Sequence, residues 1–84
     1  MGKFRLVFRK MLLIDIGDCI KFKLYGQEIQ GRIIGVQNNT TTWDVESIII
    51  TPKEDIDWGE SIWKAGSNYE IAAEKITQVE LVEP

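Results

Sequence analysis

GDCIKFKLYGQEIQGRIIGV, residues 17–36, combines two habits that conflict in an ordinary strand. It is rich in residues that favour extended backbone, yet it carries Gly17, Gly26, Gly31 and Gly35. Glycine inside a strand marks a sharp bend, a bulge or a close backbone approach. Glycine between strands supplies a tight turn. The stretch therefore reads as a hairpin that coils strongly. Ile20, Phe22 and Leu24 point to one face, and Cys19, Lys21, Lys23 and Tyr25 to the other. After a turn at YGQE, Ile29, Gly31, Ile33 and Gly35 share a face, with Gln30, Arg32, Ile34 and Val36 opposite and a bulge expected within the strand. Such coiling is what a small barrel needs to close on itself and remove its exposed edges.

On either side the pattern stays extended. IDIGD (14–18) is a turn into the sheet, and NNTTT (38–42) is polar turn material. TWDVESIIIT (42–51) alternates Trp43, Val45, Ser47 and Ile49 with Asp44, Glu46, Ile48 and Ile50, and Pro52 stops it. KEDIDWGESIWKAGSN (53–68) is irregular and acidic, with one short strand expected around 60–64 and a turn at AGSN. Tyr69 and Ile71 resume a strand, AAEKI suits a single 3₁₀ or helical turn, and TQVELVE closes the chain with Val79 and Leu81 facing in. The first residues, MGKFRLVFRKMLLI, fit both a strand alternation and a helical spacing. Two aromatics, a valine and the lack of a capping residue favour an extended basic and apolar arm over 1–13, ahead of a domain at 14–84.

IGDCIKFKLYGQEIQGRIIGV together with YEIAAEKITQVELVE resembles the SH3-like small-barrel pattern, in particular KOW-like and related bacterial or phage barrels. The likeness covers about 14–84, without the connection at 53–66. It implies an all-β fold: a small SH3-like barrel of about five antiparallel strands, a short 3₁₀ turn before the last strand, and an extra N-terminal arm. It also suggests a bacterial or phage accessory protein that binds a partner through exposed aromatic residues beside variable loops. The chain departs from the pattern in its long third-to-fourth strand connection. It is also acidic where nucleic-acid-binding KOW domains tend to be basic.

Eighty-four residues make one domain. No run approaches the roughly 20 apolar residues of a membrane span. The apolar run at 11–14 is too short for a secretory leader. A single cysteine, Cys19, excludes an internal disulfide and reads as a small, partly buried core residue, which fits a cytoplasmic location. The absence of histidine removes the commonest general base, the Ser-His and Cys-His pairs and the favoured zinc ligand. The acids Glu54, Asp55, Asp57 and Glu60 lack the spacing of a calcium loop. No phosphate-binding glycine motif occurs. The reading is therefore a non-enzymatic protein with no metal and no cofactor.

Net charge is −3, but residues 1–35 hold seven basic and three acidic side chains, and residues 36–84 three and ten. Two functions compete. The preferred one is a protein-interaction module in which Trp58, Trp63 and Tyr69 form an apolar contact patch rimmed by Glu54, Asp55, Asp57 and Glu60, fitted to a partner with a basic surface. The alternative is a nucleic-acid-binding barrel in which Lys21, Lys23 and Arg32 meet phosphates, helped by Arg5, Arg9 and Lys10 of the arm, with Tyr25 as a stacking surface. Trp43, on a strand, is assigned to core packing, and Trp58 is the tryptophan expected to be most exposed.

Overall fold

The computed structural model describes residues 4–7, 11–41 and 44–83. The fold is all-β. A ribbon of β1 (Phe4–Val7) and β2 (Met11–Ile14) comes first. A five-stranded antiparallel sheet follows, built from β3 (Cys19–Leu24), β4 (Gln27–Asn38), β5 (Val45–Pro52), β8 (Tyr69–Ala72) and β9 (Ile76–Val82) in the spatial order β8-β5-β4-β3-β9. A second ribbon, β6 (Ile56–Asp57) with β7 (Ile62–Trp63), is inserted in the chain between β5 and β8. The 3₁₀ turn Ala73–Lys75 carries the chain from β8 to β9, at the far side of the sheet. β8 and β9 do not pair, so the sheet is curled but not closed into a barrel. Within the segment read as an extended arm, β1 and β2 pair as antiparallel strands, with Phe4 opposite Ile14 and Val7 opposite Met11.

The four glycines of the opening stretch divide by cause. Gly17 (φ 99°) and Gly26 (φ 83°) sit in the left-handed region that turns require. In the first turn, Asp18 Oδ2 accepts the Asp15 N–H at 2.8 Å, and the Gly17 N–H donates to the Ile33 carbonyl at 2.7 Å. Gly31 and Gly35 lie inside β4. A Cβ on Gly31 would stand 2.8 Å from the Thr51 carbonyl oxygen, which is backbone and cannot yield. Gly31 and Arg32 are also where β4 pairs with β3 on one side and β5 on the other. A residue without a side chain therefore stands where the β5 backbone crowds β4.

That curl gives one inner face. Among the described residues thirteen apolar side chains are buried, and nine of them are isoleucines, whose branched side chains suit a pleated surface. Burying each one contributes about 1.5–3 kcal/mol relative to leaving it exposed. Cross-strand pairs Phe22–Ile29, Ile33–Ile50 and Ile48–Ile71 stack these side chains in register.

Three irregularities shift the pattern. The ladder between β4 and β5 slips at Ile34 and again at Glu46, and the ladder between β3 and β9 slips where Phe22 faces both Gln78 and Val79. Gln78 takes φ 54° to make that last bulge. Each extra residue exchanges inside and outside beyond it. Val36, expected to face outward with Ile34, thus packs on the core opposite Ile48. Val79 packs on the core as expected, whereas Leu81, on the same face opposite Ile20, is 49% exposed because β9 is an edge strand. Cys19 is partly buried but belongs to the outer face, between Arg32 and Val82, not to the core. Trp43 lies outside the described residues.

Gly31→Ala is expected to destabilise the fold by about 1–3 kcal/mol, because the new methyl meets backbone. Gly35→Ala, whose nearest neighbour is the mobile tip of Ile49 at 3.1 Å, is expected to cost less. Chemical denaturation of both variants checks the order.

Candidate functional site

The ribbon β6–β7 places four rings in one row. Trp63 stacks on Tyr69 with centroids 4.5 Å apart and planes 7° from parallel. Trp58 meets Trp63 edge-on at 5.2 Å, and Tyr25 meets Trp58 edge-on at 6.1 Å. Both edge-on geometries suit the quadrupoles of the rings. Three separate parts of the chain converge here: the β3–β4 turn, the inserted ribbon and β8. Ile50 pairs with Tyr69, so the row begins on the inner face and runs along one end of the sheet to the β3–β4 turn. Ile56 anchors the ribbon in the core, and Trp58 and Trp63 pack against that core from above.

The predicted patch of Trp58, Trp63 and Tyr69 is thus brought together, and Tyr25, expected on the opposite sheet face, joins it. Exposure is distributed differently from expectation. Trp58, Trp63 and Tyr69 are half-buried, while Tyr25 is 70% and Ile62 51% exposed. Trp58 is therefore not the exposed anchor. Its indole Nε1 is buried with no hydrogen-bond partner among the described residues.

Tyr25 and Gly26 form the two-residue turn between Leu24 and Gln27, and both have positive φ, 50° and 83°. That turn type prefers Asn-Gly or Asp-Gly. A tyrosine there gives up about 1 kcal/mol to the left-handed conformation. It recovers contact with Trp58 and with Lys75, whose Nζ lies 5.7 Å from the ring centroid. Gln27 Nε2 donates to the Asp57 carbonyl at 2.9 Å, which ties the turn to the ribbon.

The acidic rim separates into two pairs. Asp57 Oδ1 accepts the Gly59 N–H at 2.8 Å, which shapes the ribbon's turn. Asp55 Oδ1 accepts the Ala65 N–H at 2.8 Å, and its Oδ2 pairs with Lys64 Nζ at 3.6 Å. The Tyr69 hydroxyl accepts the Lys64 N–H at 2.7 Å, which fastens the same loop. Asp55 and Asp57 thus have structural roles, whereas Glu54 and Glu60 are exposed. A shallow groove of about 280 Å³ beside the rim runs between β4 and residues 53–57, with Glu28, Lys53 and Glu54 at its walls. It falls below the ~300–1,000 Å³ of small-molecule sites.

The basic residues of the alternative are placed as follows. Lys21 and Lys23 share the outer face of β3, but Lys21 Nζ pairs with Glu80 Oε1 at 3.0 Å, and Lys23 stands opposite Glu28. Arg32 Nη1 donates to the Gly17 carbonyl at 3.0 Å. Tyr25 belongs to the aromatic row and not to this face. Arg5 lies in β1 opposite Leu13, and Arg9 and Lys10 lie outside the described residues. The described outer face therefore mixes both signs of charge.

Comparison with known protein families, curated proteins and solved structures finds no match to this chain. Among the described residues, no helix is long and apolar enough to cross a membrane.

Two outcomes follow from this geometry. Trp58→Phe removes the unpartnered donor while keeping a ring, and is expected to leave stability unchanged or slightly raised in thermal melts. The Lys21 ammonium is held above its usual pKa of 10.5, first by the Glu80 hydrogen bond and then by the charges of Glu80 and Glu28. A raised lysine pKa adds stability that is complete below the unfolded value and is lost as pH rises through the folded one. Glu80→Gln is expected to flatten the small loss of stability above about pH 10, read from denaturation midpoints across the alkaline range.

Proposed function

We propose that the chain is a non-enzymatic interaction module that holds a protein partner with a basic surface. The observation that carries this reading is the row Tyr25–Trp58–Trp63–Tyr69, which ends in exposed Tyr25, with exposed Ile62 beside Trp63 in β7 on the outer side of the ribbon. Aromatic side chains provide large contact area at little entropic cost and dominate interface energetics. A row that is half-buried before binding is pre-organised, which lowers the cost of association. Glu54 and Glu60 supply the sign of charge that attracts a basic partner, while Asp55 and Asp57 hold the loop in shape.

On this reading the fold is an open member of the SH3-like small barrels. The order β8-β5-β4-β3-β9, with a 3₁₀ turn leading into the returning last strand, supports the assignment, as does the tight coil at Gly31. Nucleic-acid binding by Lys21, Lys23 and Arg32 is the competing proposal. It is less well supported because Lys21 and Arg32 already have partners within the fold.

Affinity capture with nuclease treatment separates the two. The wild-type chain is expected to retain a nuclease-resistant protein. The Tyr25→Asn/Ile62→Thr variant is expected to lose it, and the Lys21→Gln/Lys23→Gln/Arg32→Gln variant to keep it. Glu54→Gln/Glu60→Gln is expected to weaken capture at low salt and to differ little at high salt. Loss of the captured material to nuclease, or its retention by the aromatic variant, overturns the reading.

A further inference from the structure

We propose that the Tyr25 ring is a seat for a cationic side chain, held by Lys75 in the free protein and by an arginine or lysine of the basic partner in the complex. This deepens the reading above and rests on it. Neither turn geometry nor burial accounts for a tyrosine at this position. Its φ of 50° suits asparagine or glycine better, and its ring is 70% exposed. The ring is engaged by two neighbours, the edge of the Trp58 contact at 6.1 Å and Lys75 Nζ at 5.7 Å from the centroid. The second distance lies within the ~6 Å over which a ring face attracts a cation.

Lys75 is an exchangeable occupant. It ends the 3₁₀ turn and is exposed, so its ammonium swings into water without uncovering the core. A guanidinium is planar and more weakly hydrated than an ammonium, and it stacks better on an aromatic face. Trp58, half-buried against the core, holds the Tyr25 ring in place for the incoming group. Residues 53–64 add four acidic side chains against two lysines, so the surface next to the seat favours a cation over an anion.

The test is an NMR titration of the full chain at low salt with the peptide acetyl-Gly-Arg-Gly-Arg-Gly-amide, its citrulline counterpart and a short oligothymidine. In the free protein the Lys75 side-chain protons are expected to be shifted upfield by the Tyr25 ring current. Addition of the arginine peptide is expected to return them towards the random-coil position, and the other two probes are not. Lys75→Gln is expected to tighten arginine-peptide binding about two- to fivefold. Lys53→Gln, which removes the same charge elsewhere, is expected to change it less. Tyr25→Asn, whose side chain suits the turn, is expected to fold with an unchanged or higher melting temperature and to abolish the response. Arginine-peptide binding that shifts Trp63 and Ile62 but not Lys75 overturns the cation seat and leaves the aromatic row as a contact surface. Equal displacement by citrulline or oligothymidine, wild-type binding by Tyr25→Asn, or no binding of the arginine peptide also overturns it. Retention of the captured protein by the Tyr25→Asn/Ile62→Thr variant is a separate result, and it removes the underlying reading itself.

Discussion

The close approach of β4 and β5 at Gly31 is the constraint on which the other features rest. A five-stranded sheet with no facing layer of helices has to bury its apolar side by wrapping around it. Where β4 passes from pairing with β3 to pairing with β5, the Thr51 carbonyl occupies the space a Cβ on Gly31 would need. With that contact in place, Ile20, Ile33 and Ile50 converge on one centre and are fully buried. A flatter sheet would leave the isoleucines of its outer strands in water.

Curling alone does not finish the core. β8 and β9 remain unpaired edges, and the inner face stays open toward its ends. The segment between β5 and β8 covers part of this opening by folding as a small ribbon, with Ile56 inserted and Trp58 and Trp63 laid over it. Two of the residues that complete the core, Trp58 and Trp63, therefore also form the middle of the aromatic row. Stability and recognition are coupled at Trp58 and Trp63 and are separable at Tyr25 and Ile62, which are mostly outside the packed region. The acids divide along the same line, since Asp55 and Asp57 shape the loop and Glu54 and Glu60 only charge its surface.

Much of the candidate site was legible in the residues. Tryptophans inside an acidic, irregular stretch pointed to Trp58, Trp63 and Tyr69, and the fold brings those three together. Alternation along β3 puts Tyr25 on the outer face, but the strand ends at Leu24 and the positive φ of the turn redirects the side chain. The signal was present in the sequence, since a tyrosine preceding Gly26 occupies a turn position that normally favours asparagine. The roles of Ile62 and Lys75 had no comparable signal, because each depends on contacts between segments far apart in the chain. β6 was missed because a two-residue strand has no periodicity to read.

By itself the chain determined an extended, all-β backbone, the turns at Gly17 and Gly26, the strong coil between them and Pro52, the 3₁₀ turn before the last strand, and a set of aromatics within an acidic insertion. Local preference suffices for these, because each depends on residues near one another in sequence. Tertiary structure decided which side of β4 faces in beyond Ile34 and of β5 beyond Glu46, since one extra residue in a ladder exchanges inside and outside for everything after it. It also decided that the sheet stays open, that Tyr25 joins the tryptophans, and that Lys21 and Arg32 are held by Glu80 and the Gly17 carbonyl. These outcomes depend on strand register and on which segments meet in space, and neither is encoded by residues adjacent in the chain.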